Sequence, residues 1–103
     1  MLIELNNEND LKELTKKGVS VIDFNATWCG PCKMLKPVIE QVSEEMKDYN
    51  FISVDIDKFD SLAAEFNVRA VPTLFVIVDG KVKGNSLGYL PKPSLEAFIK
   101  KNL

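Results

Sequence analysis

The sequence predicts an α/β fold: a central mixed β-sheet flanked by four helices, in three α/β/α layers. Three observations carry this reading. Val19–Phe24, Phe51–Ile56 and Thr73–Val78 are apolar, β-branched runs of strand length. The first two are separated by a long segment of helical period, which favours a parallel pair with a right-handed crossover. Asp79-Gly80 follows the third and offers a two-residue turn into an antiparallel partner.

The elements follow in order. Leu2 to Leu5 alternates weakly and suits a short edge strand. Asn7 or Asn9 can cap a helix reaching about Lys17, with Leu11 and Leu14 inward and Gly18 as its stop. Val19–Phe24 is the first buried strand. From Cys32 to about Asp48, Leu35, Val38, Ile39, Val42 and Met46 fall on one stripe. Pro37 lies inside that helix, where it removes a donor and crowds the carbonyl of Lys33, so a kink is expected. Phe51–Ile56 is the second strand and Ser61–Phe66 a short helix. Thr73–Val78 is the third strand, and Lys81–Lys83 returns from the Asp79-Gly80 turn. From Ser94, Leu95, Phe98 and Ile99 mark a last amphipathic helix. The order is β-α-β-α-β-α-β-β-α. No repeat or linker interrupts it, so residues 1–103 are expected to form one domain.

Composition narrows the function classes. The chain has 46% hydrophobic and 27% charged residues and a formal charge of −2, ordinary for a globular protein. No basic face stands out, which argues against nucleic acid. No apolar run approaches a bilayer span, and the start lacks a basic leader, so a cytoplasmic location without membrane attachment is expected.

Both cysteines lie in Trp28-Cys29-Gly30-Pro31-Cys32-Lys33. A disulfide closing so small a loop constrains the unfolded chain by about 2 kcal/mol, against about 4.7 for a long loop. The pair is a poor staple. It is a good switch, because either thiol can attack while the other resolves the product. A structural zinc site needs four ligands, and two Cys with no His cannot supply them, so no metal is expected. Two inert core thiols are the plainer alternative. Against it, a CxxC beside a βαβ pattern reads as a redox motif, and a reducing compartment favours a transient disulfide over a structural one.

The motif sits between a strand's C-terminal end and a helix N-terminus, where sites gather in open α/β sheets. The free N–H groups and dipole of the first turn, with Lys33 nearby, predict Cys29 as the exposed nucleophile with a lowered pKa. Cys32, one turn in, is predicted to be more buried and to resolve the intermediate. Pro31 fits the first turn because it lacks a donor, and Gly30 permits close approach of another chain. Asp23 is an acid in an apolar strand. It is either solvated at an edge or buried with a raised pKa and able to pass a proton to Cys32. Val71-Pro72 opens a strand, and by the frequency of X–Pro isomers it reads as trans.

These residues together resemble the thioredoxin family, over the whole chain. Asp23-Phe24 with Ala26-Thr27-Trp28-Cys29-Gly30-Pro31-Cys32-Lys33 is similar to its active-site signature. Pro37, Asp57, Pro72-Thr73, Gly80 and Gly88 stand in like order and spacing. The resemblance implies a thioredoxin fold and a general protein-disulfide reductase with no cofactor beyond the Cys29–Cys32 dithiol. In that reading Cys29 attacks, Cys32 releases the product and Asp23 assists proton transfer. It reverses the Pro72 reading to cis and places that residue beside the cysteines. Trp28, Ala70, Val71, Pro72 and Gly88 would border a docking surface for an extended disulfide-containing protein segment, with Gly88 as a plain turn residue the alternative. The implied partner is a thioredoxin reductase, NADPH-linked rather than ferredoxin-linked, and the implied state a monomer.

Two positions depart from the family pattern. Asn25 stands where many members have an aromatic or small residue, and Ser53 where many have a lysine paired with the buried acid. Without that cation, Asp23 is expected to be harder to ionise. Two other functions share the fold: a disulfide oxidant or isomerase, and a binding subunit without redox chemistry.

Overall fold

The computed structural model describes all 103 residues. The chain forms β1 (Leu2–Glu4), α1 (Asp10–Thr15), β2 (Val19–Asn25), α2 (Gly30–Glu45), β3 (Asn50–Asp55), α3 (Asp60–Glu65), β4 (Thr73–Val78), β5 (Lys81–Leu87) and α4 (Lys92–Lys101). The strands make one sheet in the order β1-β3-β2-β4-β5. β3 pairs in parallel with β1 and β2, while β4 runs antiparallel to β2 and β5. The sheet is therefore mixed, as its residue pattern predicts.

Successive side chains of a strand point to opposite faces, and the two faces have separate cores. On one, Ile22 and Phe24 of β2 pack with Leu11 of α1 and Leu62 of α3. Phe24, Phe66 and Phe75 meet there with ring centroids 5.2–5.7 Å apart. On the other, Val21 packs with Leu35, Ile39 and Val42 of α2 and Leu95 and Ile99 of α4. Asp23 shares the face of Val21, so it lies on the α2 side of the sheet.

Several element boundaries differ from expectation for physical reasons. α2 starts at Gly30 rather than Cys32, because Cys29 itself caps the helix. It continues through Pro37. Pro37 and Lys33 are both exposed, so the carbonyl that loses its donor is on the solvent side. Asn9 is helical and makes no side-chain cap; instead Asn7 Oδ1 accepts from the Asn9 N–H at 2.9 Å. α4 starts at Lys92, two residues before Ser94, with Pro91 as its extended cap. β5 runs to Leu87, four residues beyond Lys83, opposite the whole of β4. Asp79 and Gly80 have φ of 49° and 82°, the left-handed pair that a tight hairpin turn requires. Asp79 Oδ1 also accepts from the Gly18 N–H at 2.7 Å, tying the turn to the end of α1.

Leu35 is fully buried where α2 meets the sheet. Leu35→Ala is expected to lower stability by about 2–5 kcal/mol, read as a lower urea midpoint at unchanged slope.

Candidate active site

β2 ends at Asn25, and residues 26–29 turn the chain into α2. Cys29 is extended (φ −91°, ψ 113°), and its Sγ accepts from the Cys32 backbone N–H at 3.1 Å. A sulfur thus occupies the capping position that side-chain oxygens usually fill. Gly30 and Pro31 complete the start of the helix, and both are exposed, as is Lys33. Pro31 brings no N–H to a turn that has none to spare a partner for.

Cys29 and Cys32 are joined as a disulfide with Cα atoms 5.3 Å apart. The expectation of an exposed Cys29 and a more buried Cys32 is corrected here: each keeps only 4% of its surface. Cys29 turns inward. Its Sγ lies 3.7 Å from the Val71 carbonyl oxygen, and the pair packs with Ala26, Ile56 and Val71. The two sulfurs differ in what they face rather than in how much they show. Cys29 stands at the helix tip against Val71. Cys32 lines a cleft of about 450 Å³ together with Asp23, Asn25, Lys33, Lys36 and Ser53.

The Val71–Pro72 bond is cis, so the trans reading from isomer frequency is overturned. That frequency is a local average, whereas the contacts flanking this bond come from the fold. Thr73 Oγ1 donates to the Ala70 carbonyl at 2.6 Å, and the Gly88 N–H donates to the Pro72 carbonyl at 2.8 Å. Gly88 has φ +87°, so it is a turn residue and also a neighbour of Pro72. Ala70 is exposed and Val71 half-buried. Trp28 keeps 67% of its surface exposed, and its Nε1 donates to Asp57 Oδ2 at 2.9 Å. Leu87 and Tyr89, on either side of Gly88, are exposed at 69% and 39%. Sequence reasoning passed over both, although apolar residues flanking a turn glycine were the available signal.

Asp23 lies in the middle of the sheet, between Ser53 of β3 and Leu74 of β4, and is 2% exposed. The edge reading is excluded. Its Oδ2 accepts from Asn25 Nδ2 at 3.3 Å, while Oδ1 has no hydrogen-bond partner. Burial pushes the Asp23 carboxyl from 3.8 up to about 6. The Asn25 bond opposes that shift, Glu4 adds to it and Lys36 opposes it. Lys36 and Glu4 are themselves paired at 3.2 Å. The contacts of Asn25 and Ser53 were missed from sequence. Their signal was the strand period, which places Asp23 and Asn25 on one face.

The sequence profile of the thioredoxin family matches residues 1–101. A thioredoxin of Mycoplasmoides gallisepticum is 39% identical over 98 residues, 93% of this chain and 97% of that protein. The chain belongs to the thioredoxin family. A Bacillus subtilis thioredoxin is 41% identical over 90 residues, 86% of each chain. Among solved structures, a thioredoxin mutant from Halobacterium salinarum superposes with a TM-score of 0.91 at 32% identity, covering 98% of this chain and 89% of that one. A reduced thioredoxin pre-protein of Schistosoma mansoni gives 0.89 at 39% identity, covering 99% and 98%. As a thioredoxin-family protein, the chain is a protein-disulfide reductase whose redox element is the Cys29–Cys32 pair, itself recycled by a reductase. No helix is long and apolar enough to cross a membrane.

The Asp23 shift has a consequence for stability. Between pH 3.8 and about 6 the folded chain holds a proton that the unfolded chain has released, so stability falls as pH rises through this window. The loss is about 3 kcal/mol, complete above the folded pKa. Asp23→Asn, which cannot ionise, is expected to be more stable than wild type at pH 8, with the gap closing near pH 4. Urea midpoints at the two pH values check this.

Proposed function

We propose that the two cysteines have fixed, unequal roles in reducing protein disulfides. Cys29, as thiolate, attacks one sulfur of the substrate disulfide. That S–S bond breaks, and the other substrate sulfur leaves with the electron pair and gains a proton. The mixed disulfide then joins Cys29 to the substrate. Asp23, as carboxylate, takes the proton of the Cys32 thiol. The Cys32 thiolate attacks Cys29 Sγ, forms the Cys29–Cys32 disulfide and releases the second substrate sulfur as a thiolate. Two electrons have passed from the dithiol to the substrate.

One observation carries this assignment. The Cys32 N–H points at Cys29 Sγ at the tip of α2, where negative charge on sulfur is stabilised, while Cys32 shares its cleft with the Asp23 carboxyl. Trp28, Ala70, Val71, Pro72 and Gly88 are the docking surface in this reading. The Val71 carbonyl beside Cys29 offers an acceptor to an extended substrate segment. Gly30 and Pro31 keep the approach to Cys29 low, and Lys33 adds positive charge. The chain acts as one domain and as a monomer in the cytoplasm, with no metal or added cofactor. Its electrons come from an NADPH-linked thioredoxin reductase.

Cys32→Ser is expected to accumulate mixed disulfides with substrate proteins on non-reducing gels, and Cys29→Ser to accumulate none. The opposite pattern refutes the nucleophile assignment. Asp23→Asn is expected to slow release from the mixed disulfide on the order of a hundredfold at neutral pH. Insulin-disulfide reduction with NADPH and a thioredoxin reductase tests the electron source. Failure there, with a potential well above the reductase range, would favour an oxidant or isomerase.

A further inference from the structure

Asp23 and Asn25 of β2 and Ser53 of β3 form a polar cluster in the sheet, beside their register neighbours Glu4 of β1 and Asp55 of β3. Asp23 and Ser53 are register partners, and Asn25 follows Asp23 by one strand period. Asn25 Nδ2 donates to Ser53 Oγ at 2.7 Å, to the Asp23 main-chain carbonyl at 3.1 Å and to Asp23 Oδ2 at 3.3 Å. An amide nitrogen has two hydrogens. The shortest contact commits one of them to Ser53. The planar amide then turns the other toward Asp23, where carbonyl and carboxylate share it.

No cation is paired with Asp23. Lys36 of α2 is engaged with Glu4 of β1 at 3.2 Å. Lys33 of α2 and Asp55 of β3 line the same cleft, and Asp55 Oδ1 is turned to the Asp57 and Lys58 N–H groups. The carboxyl therefore has one donor in the protein, the Asn25 amide, and that donor reaches only Oδ2.

Resting on the reading of Asp23 as proton acceptor, we propose that Asn25 and Ser53 are a positioning pair for disulfide exchange. Ser53 locks the Asn25 amide, the amide pins Oδ2 of Asp23, and Oδ1 is left to take the Cys32 proton. The clamp is neutral. Salt screens it less than it would an ion pair with a lysine.

The test is NMR titration of the Asp23 carboxyl in the oxidised protein, where no thiol titrates, together with the pH profile of release from a mixed disulfide. Asn25→Leu keeps the branched shape and heavy-atom count and removes the donor. It is expected to raise the Asp23 midpoint by about one pH unit and to move the release profile the same way. Ser53→Ala is expected to give a smaller rise, and Ser53→Thr, which keeps the hydroxyl, to restore the wild-type midpoint. An unmoved midpoint in Asn25→Leu overturns the proposal. Should that variant not fold, an unmoved midpoint in Ser53→Ala overturns it equally. The clamp can fail while Cys32→Ser still traps mixed disulfides, and trapping can fail while the midpoints shift as expected, so the two readings fail separately.

Discussion

The burial of a carboxyl in the middle of β2 is the constraint on which the site is arranged. β2 is paired on both edges, with β3 and β4, and covered by helices on both faces. Asp23 keeps only 2% of its surface there, so its charge has to be met by fixed dipoles or avoided by holding a proton. Both the missing partner at Oδ1 and the raised titration of the group follow from that placement. A carboxyl on an edge strand would show neither.

α2 links this buried acid to the surface. Its stripe of Leu35, Ile39 and Val42 sits on the same sheet face as Asp23 and fixes how the helix lies. Once that stripe is seated, the helix N-terminus projects beyond the end of β2 and carries Cys29 to the Val71 carbonyl. The antiparallel partner β4 delivers Val71-Pro72 to the same point, because Thr73 pairs with Phe24 at the end of their ladder. The active-site turn is short, and its geometry is set by packing some distance away.

Much of this was legible in the residues. Three β runs, one long amphipathic helix and an Asp-Gly turn are local signals, and each of those elements forms, with its ends displaced by at most a few residues. The cysteine spacing and the oddity of Asp23 marked the site. What was hidden was tertiary. The capping of α2 by a sulfur depends on a side chain folding back on its own helix. The inward turn of Cys29 depends on Val71, 42 residues later in the chain. The contact between Asn25 and Ser53 joins strands 28 residues apart; strand period could place Asn25 beside Asp23, but not reveal which β3 residue would meet it.

The cleft behind Cys32 gives the molecule two doorways. In the proposed reading, substrate or reductase docks over Trp28 and the loops around Pro72 and Gly88. Asp23 and Cys32 open instead between α2 and the ends of β1 and β3, past Glu4 and Lys36. In that reading a docked partner can cover the first doorway without stopping protons from leaving through the second. Electron traffic and proton traffic would then use separate routes through a protein of only 103 residues. On that reading a bulky partner would not have to release the chain before the acid behind the disulfide is reset.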